Sequence, residues 1–231
     1  MIKIENTSAT GWEAAIRGMR NPMNSWEKSD SYFWNDGAPA DILGNSPDIR
    51  PIAYMFGVNI GPKDFDLMKR LATAGPVDAK YRRMITVTAD VTAPLYWWKE
   101  YDTYKVGTVA NSCSTMHKIH AKEFTRDDFS CEHLSSIDIG QGTGSPYSLL
   151  QQTIRMLNEC RELYLKTKDK QYWWQMIQLL PSSYNQKRTI MLNYEVLAGI
   201  YPKRKDHKLD EWHEFCKWIE ALPYSAIITG N

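Results

Sequence analysis

The chain of 231 residues is long enough to bury a full hydrophobic core, and its net charge of +1 creates no global field that would attract nucleic acid or an anionic membrane. No apolar run approaches the length of a membrane span, and the N-terminal residues show no secretory signal. We therefore expect a cytoplasmic protein with reduced thiols, binding neither nucleic acid nor membrane. Nine tryptophans and thirteen tyrosines favour stacking pockets or extensive subunit contacts.

Hydrophobic periodicity and turn residues predict the elements in chain order. They are a helix over 11–28 that Pro22 kinks or ends, a long loop over 29–51, a weak strand candidate over 51–59, a helix over 62–75, a strand over 84–91, a buried helix over 93–104, turns over 121–147, and helices over 145–167, 169–180, 184–201 and 208–222. The helix over 145–167 should bury the face that carries Leu150, Ile154, Leu157 and Tyr164. The predicted fold is α+β: a single domain over residues 1–231, with a small mixed or antiparallel sheet and a helix-rich C-terminal half.

Residues 103–117 are rich in short polar side chains and follow shortly after the aromatic run APLYWW at 93–98. Asn111 and Ser114 can donate and accept hydrogen bonds at close range, and Lys105 and His117 add basic groups. Such a group behind an apolar anchor is typical of a pocket for a polar ligand. A Ser/Thr-rich loop between two helices is the alternative interpretation.

A metal site is a further alternative. Side chains that zinc accepts occur at five positions within a short stretch: Cys113, His117, His120, Cys131 and His133. His117 and His120 are three residues apart and would share a helix face. None of the five shows the Cys-x₂₋₄-Cys spacing of a structural zinc site, so the expectation is no metal, and a zinc-stabilised binding protein stays the alternative.

Basic residues cluster towards the C-terminus, in the second half of the chain. They are Lys187, Arg188, Lys203, Arg204, Lys205, His207 and Lys208. They could form a solvated helix end, where cations oppose the helix dipole. They could also form an anion pocket in which Arg204 binds phosphate through a bidentate fork.

Two segments together resemble the flavin-dependent thymidylate synthase family, ThyX. In that family an Asn-x-x-Ser core follows an Ala-Pro-aromatic helix, and here Asn111 and Ser114 follow the run APLY. The family also has a Leu-Pro, an Asn twelve residues after the proline, and an Arg eleven residues after that Asn. This chain has Pro181, Asn193 and Arg204 at those spacings.

The resemblance is clearest over residues 80–215 and implies a ThyX-like fold. It implies an FAD-dependent enzyme that transfers a one-carbon unit to C5 of a pyrimidine nucleotide, converting dUMP to dTMP or making a related modification, with the hydride carried by reduced flavin. It also implies methylenetetrahydrofolate as the one-carbon donor, NADPH as the reductant, and a homotetramer with active sites between subunits.

The same resemblance implies the site residues. The catalytic residues would be Arg204 and Ser114; the cofactor would be bound by Asn111, Asn193, Lys105, Tyr104 and His207; and the substrate would be bound by Arg204, Ser114, Glu100 and His117.

One family motif is altered in this chain. The Arg-His-Arg triplet, which in the family holds flavin and nucleotide phosphates, falls on Thr103-Tyr104-Lys105 or, one residue later, on Tyr104-Lys105-Val106. Only Lys105 keeps a positive charge, and lysine is a point charge where arginine forms a fork. A second hypothesis is therefore a ThyX-fold protein that binds nucleotide or flavin without thymidylate synthase activity.

Overall fold

The computed structural model describes residues 2–34, 57–140, 142 and 144–230. The helices are α1 Trp12–Arg20, α2 Pro62–Ala74, α3 Leu95–Tyr101, α4 Thr115–Lys118, α5 Pro146–Thr167, α6 Lys170–Leu179, α7 Tyr194–Arg204, α8 Asp210–Glu220 and α9 Ala226–Thr229. Short 3₁₀ turns lie at Asn21–Met23, Trp26–Lys28, Asp78–Arg83 and Arg126–Asp128. Among these described helices, none is both long enough and apolar enough to cross a membrane.

The strands are β1 Lys3–Thr10, β2 Tyr32–Phe33, β3 Val58–Asn59, β4 Thr86–Pro94, β5 Val109–Ser112 and β6 Asn185–Asn193. Four of them form an antiparallel sheet in the order β1-β4-β6-β5. β2 and β3 form a separate antiparallel pair. The predicted α+β class with a small sheet and a helix-rich C-terminal half is confirmed. Much of the predicted loop over 29–51 and most of the strand candidate over 51–59 lie outside the described residues.

Most helices follow their sequence signals. α2 begins at a proline and ends before Gly75, because proline suits a first turn and glycine tolerates the backbone that follows a helix. α5 begins at Pro146, after Ser145, whose hydroxyl accepts a hydrogen bond from the Ser148 amide. Of its predicted buried face, Leu150 and Leu157 are fully packed. The predicted helix over 11–28 ends at Arg20 and continues as 3₁₀ turns.

The predicted helix over 184–201 is wrong in its first half, which is strand β6. Burial alternates along β6: Gln186, Ile190 and Leu192 are buried, whereas Lys187 and Met191 are exposed. A period of two residues is that of a strand with one covered face. The helix starts only after Asn193, whose side chain accepts a hydrogen bond from the Val196 amide at 3.0 Å and so caps α7.

Strand β1 is absent from the sequence prediction. Its side chains are mostly polar, and Ala9 is its one buried residue. The hydrophobic alternation that marks a half-buried strand is therefore missing from this segment, although its backbone pairs in the sheet.

The described chain divides into two compact units by its contacts. The first contains Val91–Thr103 and Asn111–Arg188, and the second contains Tyr104–Ala110, Thr189–Asn231 and the described residues of Ile4–Asp90. That the whole chain is a single domain stays a prediction.

The first unit is built on a cluster of buried side chains between helices α5 and α6 and the segment before them. Its members are Ile119, Phe124, Phe129, Cys131, Leu150, Leu157, Cys160 and Met176. Burial and the nearby Asp128 carboxylate raise the pKa of Tyr184, which packs against Phe129, to about 12. This tyrosine is therefore neutral at physiological pH, and it belongs to the core.

In the second unit, α1, α2 and α7 all pack against the 3₁₀ turn Asp78–Arg83. Arg82 in that turn donates to the Glu195 carboxylate at 2.7 Å and to the Ile227 carbonyl at 3.0 Å. This partly buried ion pair joins the start of α7 to α9, so the position of α7 is set by both apolar packing and charge.

Candidate functional site

The predicted site residues fall into two groups, one in each compact unit. Glu100, Asn111, Ser114 and His117 lie in the first unit. Tyr104, Lys105, Asn193, Arg204 and His207 lie in the second unit. Each group is described separately below.

In the second unit, the structure places the Arg204 guanidinium against two aromatic rings that meet edge-on. Its guanidinium carbon lies 4.5 Å from the centroid of the Trp212 ring and 5.4 Å from that of the Tyr104 ring. Its Nε donates a hydrogen bond of 2.8 Å to the Tyr104 hydroxyl. Two rings and one hydrogen bond fix the plane of the guanidinium, so that it is oriented before any ligand arrives. Arg204 and Tyr104 are thus brought together, as a site would require.

Trp212 is a residue that the sequence-based list of site residues missed. Its ring is fully buried at the start of α8 and also stacks edge-on against the Tyr104 ring, with centroids 6.1 Å apart. No sequence signal distinguishes a tryptophan that only fills the core from one that also presents a face to a cation. Its role becomes visible only once α7 and α8 are placed side by side.

Asn193 and Gly107 bring the turn at 104–108 against the start of α7. Gly107 has a φ of +75°, and a Cβ at this position would come within 2.9 Å of the Val196 side chain and 3.5 Å of Asn193 Nδ2. Asn193 Oδ1 is used in capping the helix. The Asn193 side-chain amide nitrogen therefore lies close to the backbone of the turn at Gly107. Only glycine allows the turn to come this near.

His207 and Lys105 complete the group in the second unit. The Leu209 amide donates to His207 Nδ1 at 3.1 Å, so the ring hydrogen of the neutral imidazole is on Nε2. The His207 ring lies 6.3 Å from the Trp212 ring, beside the Arg204 arrangement. Lys105 is exposed on the turn next to Tyr104 and extends the positive charge of this surface.

A buried thiol lies behind this group on α8. Burial, followed by the charges of Glu220 and Asp206, raises the pKa of Cys216 to about 11. The thiol is therefore protonated at neutral pH and is a poor nucleophile.

In the first unit, the segment over 111–117 is exposed and carries three of the four predicted residues. Asn111 is the next-to-last residue of strand β5, and Ser114 caps the short helix α4 by accepting a hydrogen bond from the His117 amide at 3.1 Å. Because a hydroxyl that accepts can still donate, Ser114 keeps a hydrogen for a ligand. Glu100 is half-buried on α3, the aromatic helix predicted over 93–104 and observed over Leu95–Tyr101.

The backbone of this segment is tied to β6. The Cys113 amide donates to the Lys187 carbonyl at 3.0 Å, and the Gln186 side chain donates to the Cys113 carbonyl at 3.2 Å and to the Thr115 hydroxyl at 2.9 Å. Gln186 was missed from the sequence because its segment was predicted to be helical, which left the direction of its side chain unassigned.

The basic cluster predicted near the C-terminus is not one patch of equivalent cations. Arg188 is turned inwards: its NH1 donates to the Asp102 carboxylate at 2.7 Å, and its guanidinium lies 4.2 Å from the Trp98 ring centroid. Its side chain is 14% exposed. Arg188 therefore has an internal role, whereas Arg204 lies at the group described above.

Five side chains were considered together as a zinc alternative: Cys113, His117, His120, Cys131 and His133. Within the part of the chain that the structure describes, no three His, Cys, Asp or Glu side chains form a group that could hold a metal ion. Cys131 is buried in the core of the first unit, whereas Cys113 is exposed. The structure therefore gives the zinc hypothesis no ligand set.

No protein-family model and no curated protein sequence matches this chain. Solved structures do resemble it. A crystal structure of thymidylate synthase X (ThyX) from Helicobacter pylori with FAD and dUMP is 13% identical and covers 99% of this chain and 97% of its own, with a TM-score of 0.63. A second structure of the H. pylori flavin-dependent thymidylate synthase, complexed with FAD and dUMP, is 14% identical over 98% and 97% of the two chains, also with a TM-score of 0.63.

A third similar structure is the UMP/dUMP methylase PolB from Streptomyces cacaoi, bound with 5-Br dUMP. It is 12% identical, covers 100% of this chain and 95% of its own, and has a TM-score of 0.55. Identity this low establishes the fold alone. The fold of this chain is that of the flavin-dependent thymidylate synthases, as the resemblance in its sequence implies.

Proposed function

We propose that this chain is an FAD-dependent enzyme that transfers a one-carbon unit to C5 of a pyrimidine nucleotide, converting dUMP to dTMP or making a related modification. The observation that carries the proposal is the Arg204 guanidinium oriented against Tyr104 and Trp212, in a chain with the fold of proteins crystallised with FAD and dUMP. A methylase of UMP and dUMP shares that fold, which supports a uracil nucleotide as the substrate.

Arg204 is proposed to bind and polarise the nucleotide. A guanidinium donates in a planar fork that matches a uracil carbonyl or a phosphate, and its charge stabilises negative charge developing on the ring during substitution at C5. Because the Tyr104 hydroxyl and the two rings already hold it, little conformational entropy is lost when the nucleotide binds. Lys105, exposed on the same turn, adds a cation where the family has an arginine.

The residues in the second unit fit a flavin in the chemistry of their donors. Asn193 carries amide N–H groups, His207 carries an imidazole N–H, and Gly107 lets the turn approach α7 more closely than any Cβ would allow. Amide and imidazole donors suit the carbonyl and ring nitrogen acceptors of an isoalloxazine, and Lys105 and Tyr104 suit a phosphate or ribityl hydroxyl. When bound, FAD supplies the hydride for the transfer.

The group in the first unit is proposed to contact the same classes of ligand. Ser114 would donate to a nucleotide phosphate or ring oxygen, with Glu100 and His117 as further substrate contacts. Asn111, at the end of β5, would donate to flavin. None of these side chains needs to act as a nucleophile, because the protein's tasks are to orient the reactants and to stabilise charge.

The rest of the proposal follows the resemblance. Methylenetetrahydrofolate would donate the carbon and NADPH the electrons, in a cytoplasmic homotetramer. The exposed aromatic and aliphatic side chains on α5 and α6, such as Leu149, Met156 and Trp174, are compatible with subunit contacts.

The first test is whether the purified protein carries flavin and acts at C5. We expect an absorbance band at about 450 nm. We also expect release of tritium from dUMP labelled at C5 when methylenetetrahydrofolate and NADPH are supplied, with UMP assayed in parallel. A colourless protein that takes up no added FAD would refute the flavin assignment.

The second test asks whether Arg204 binds the nucleotide, with a control for the general effect of removing an arginine. Arg204→Ala should weaken nucleotide binding by at least tenfold, because charge-assisted hydrogen bonds contribute about 1.5–3 kcal/mol each. Arg70→Ala is the matched control, since Arg70 is exposed and pairs with Asp66 one turn away. Equal nucleotide affinity in the two variants would reject Arg204 as the nucleotide clamp.

A flavin- and nucleotide-binding protein without transfer activity is the second candidate. The replacement of the family's Arg-His-Arg triplet favours it, because neither Thr103-Tyr104-Lys105 nor Tyr104-Lys105-Val106 contains an arginine, and two forked cations are therefore absent. Bound flavin and tight dUMP binding, with no tritium release from either nucleotide, would establish this candidate over the enzyme.

A further inference from the structure

We propose that Gln186 and Arg188 are positioning residues that hold the segment over 111–117 in the conformation that binds the nucleotide. This inference rests on the proposed function, because it assigns a purpose to the placement of Ser114 and Asn111. Neither positioning residue would contact the ligand. The two form a relay from the aromatic helix α3 to the exposed segment.

The first step of the relay is the contact between Gln186 and the segment. Gln186 is 8% exposed, and its Nε2 donates to the Cys113 carbonyl and to the Thr115 hydroxyl, the residues on either side of Ser114. One amide group therefore fixes the backbone before Ser114 and the side chain after it. The direction of the Ser114 hydroxyl follows from these two anchors.

The second step is the contact that orients Gln186 itself. Arg188 Nε donates to Gln186 Oε1 at 3.0 Å, so this oxygen faces the guanidinium and both amide hydrogens face the segment. Without a donor on Oε1, the amide could rotate by 180° and present an acceptor to the Cys113 carbonyl, which would be repulsive. Arg188 thus selects the orientation of Gln186 that holds the segment.

The third step anchors Arg188 to α3. Its NH1 donates to Asp102 just after the end of that helix, and its guanidinium lies over the Trp98 ring. The Trp98 indole N–H in turn donates to the Gln186 backbone carbonyl at 2.9 Å. Because Glu100 is on the same helix, the relay connects it to Ser114, so both predicted substrate contacts of the first unit share one frame.

The relay acts on the part of the segment that lies beyond the strand pairing of β5 with β6. Asn111, Ser114 and His117 are exposed, and exposed segments open locally at little free-energy cost. Besides the relay, β5 pairs with β6, the Cys113 amide donates to the Lys187 carbonyl at 3.0 Å, and the Trp173 indole donates to the Met116 carbonyl at 3.0 Å. A binding group that must be held to within about half an ångström needs supporting contacts of this kind.

The test compares Gln186→Leu with Gln175→Leu, which makes the same chemical change at an exposed position of α6. We expect amide hydrogen exchange of the peptide over 109–118 to become faster in Gln186→Leu only. In the flavin-loaded protein, we expect the Kd for dUMP to rise about tenfold in that variant, while the flavin content and melting temperature stay near those of the control.

Arg188→Lys supplies an independent variant for the case in which Gln186→Leu fails to fold. Lysine keeps the charge but loses the fork that reaches both Gln186 and Asp102, so we expect faster exchange and a higher Kd for dUMP here too. Asp102→Asn keeps an acceptor for Arg188, whereas Asp102→Ala removes it. We therefore expect Asp102→Asn to bind dUMP almost as tightly as the wild type and Asp102→Ala to bind it more weakly.

The outcomes separate this inference from the proposed function. Wild-type protein that binds no dUMP would refute the proposed function and, with it, the purpose assigned to the relay. Wild-type protein that binds dUMP, with Gln186→Leu binding it equally well, would overturn the relay alone. Faster exchange at 109–118 without any change in dUMP affinity would also overturn it, because the contacts would then be purely structural.

Discussion

Replacing Asp64 by asparagine should destabilise the protein far more than the same change at Asp66, two residues further along α2. Asp64 is completely buried, and its carboxylate is 2.6 Å from Nε of Arg20, whose side chain is 5% exposed. The Asp66 side chain is 62% exposed and pairs with Arg70 on the surface. The two substitutions are chemically identical, so any difference in stability arises from burial.

The magnitude follows from the contacts of the Asp64 carboxylate. One oxygen accepts from Arg20, and the other accepts from the hydroxyls of Ser29 and Ser31 and from the Asp30 amide, at 2.7–3.1 Å. Asparagine removes the negative charge and turns one acceptor into a donor that faces other donors. Breaking one partner of a buried pair costs about 3–5 kcal/mol, because the remaining charge is buried without compensation.

At about 2–4 °C per kcal/mol for a chain of this size, Asp64→Asn should lower the melting temperature by roughly 6–20 °C. Asp66→Asn should change it by at most about 2 °C, because an exposed ion pair one helical turn apart contributes about 0.3–0.5 kcal/mol. Thermal unfolding followed by far-UV circular dichroism at pH 7 measures both values. Melting temperatures of the two variants that agree within 2 °C would refute the argument.

The pH dependence gives a second check on the same group. Burial alone would raise the pKa of Asp64, but the hydrogen bonds from Ser29, Ser31, Arg20 and the Asp30 amide outweigh it and hold the pKa below its ordinary value. A carboxylate with a lowered folded-state pKa stabilises the protein above its unfolded-state pKa, which is about 3.9. Its contribution is lost as the pH falls through the lower folded-state value. The gap between wild type and Asp64→Asn should therefore narrow below about pH 4.

Three further predictions follow from the groups around the site. Gly107→Ala should lower the free energy of unfolding by about 1–2 kcal/mol and weaken flavin binding, because φ is positive at Gly107 and a Cβ would meet Val196. Thermal unfolding measures the loss of stability, and titration with FAD measures the loss of flavin affinity. Tyr104→Phe keeps the ring beside Arg204 but removes the hydroxyl, so the Kd for dUMP should rise by roughly three- to tenfold, and an unchanged Kd would contradict this role. A thiol reagent should modify Cys113 quickly in the native protein and the three buried cysteines only after denaturation, and saturating dUMP should slow the reaction at Cys113.

The parts of the fold that the sequence predicts are those where one local signal decides the structure. α2 begins at Pro62 and ends before Gly75. In β4, the buried residues Val87, Ala89 and Val91 alternate with partly exposed ones, and most of TVTADV is β-branched. The prediction of one helix over 184–201 was wrong because this stretch holds a strand, with a period of two residues, followed directly by a helix, with a period of 3.6. Asn193 in the middle of that stretch is itself a helix-start signal, because a short amide side chain favours the N-cap over the helix interior.

The sequence predicts the candidate site only in part, for a related reason. Spacing singles out Arg204, but whether its guanidinium faces solvent or packs against aromatic rings depends on Tyr104 and Trp212. Tyr104 is distant in sequence, and Trp212 is on another helix. Arg188 shows the opposite case: it looks like surface charge in the sequence, and tertiary contacts place it inside. The surroundings of a charge are a long-range property, and no local pattern encodes them.

The junction at Asn193 has a consequence for how such a chain can diverge. Asn193 both ends strand β6 and caps helix α7, so no loop separates the two elements. An insertion or deletion between Asn193 and Arg204 therefore has no loop that could accommodate it. Eleven residues of helix make about three turns plus roughly 20°, which returns Arg204 to the side of Asn193 about 16 Å away. A single inserted residue between them would swing the guanidinium by about 100° away from its rings. A change in the number of residues between Asn193 and Arg204 would therefore move the guanidinium, whereas exchanging an exposed side chain between them, such as Lys203, would leave it in place.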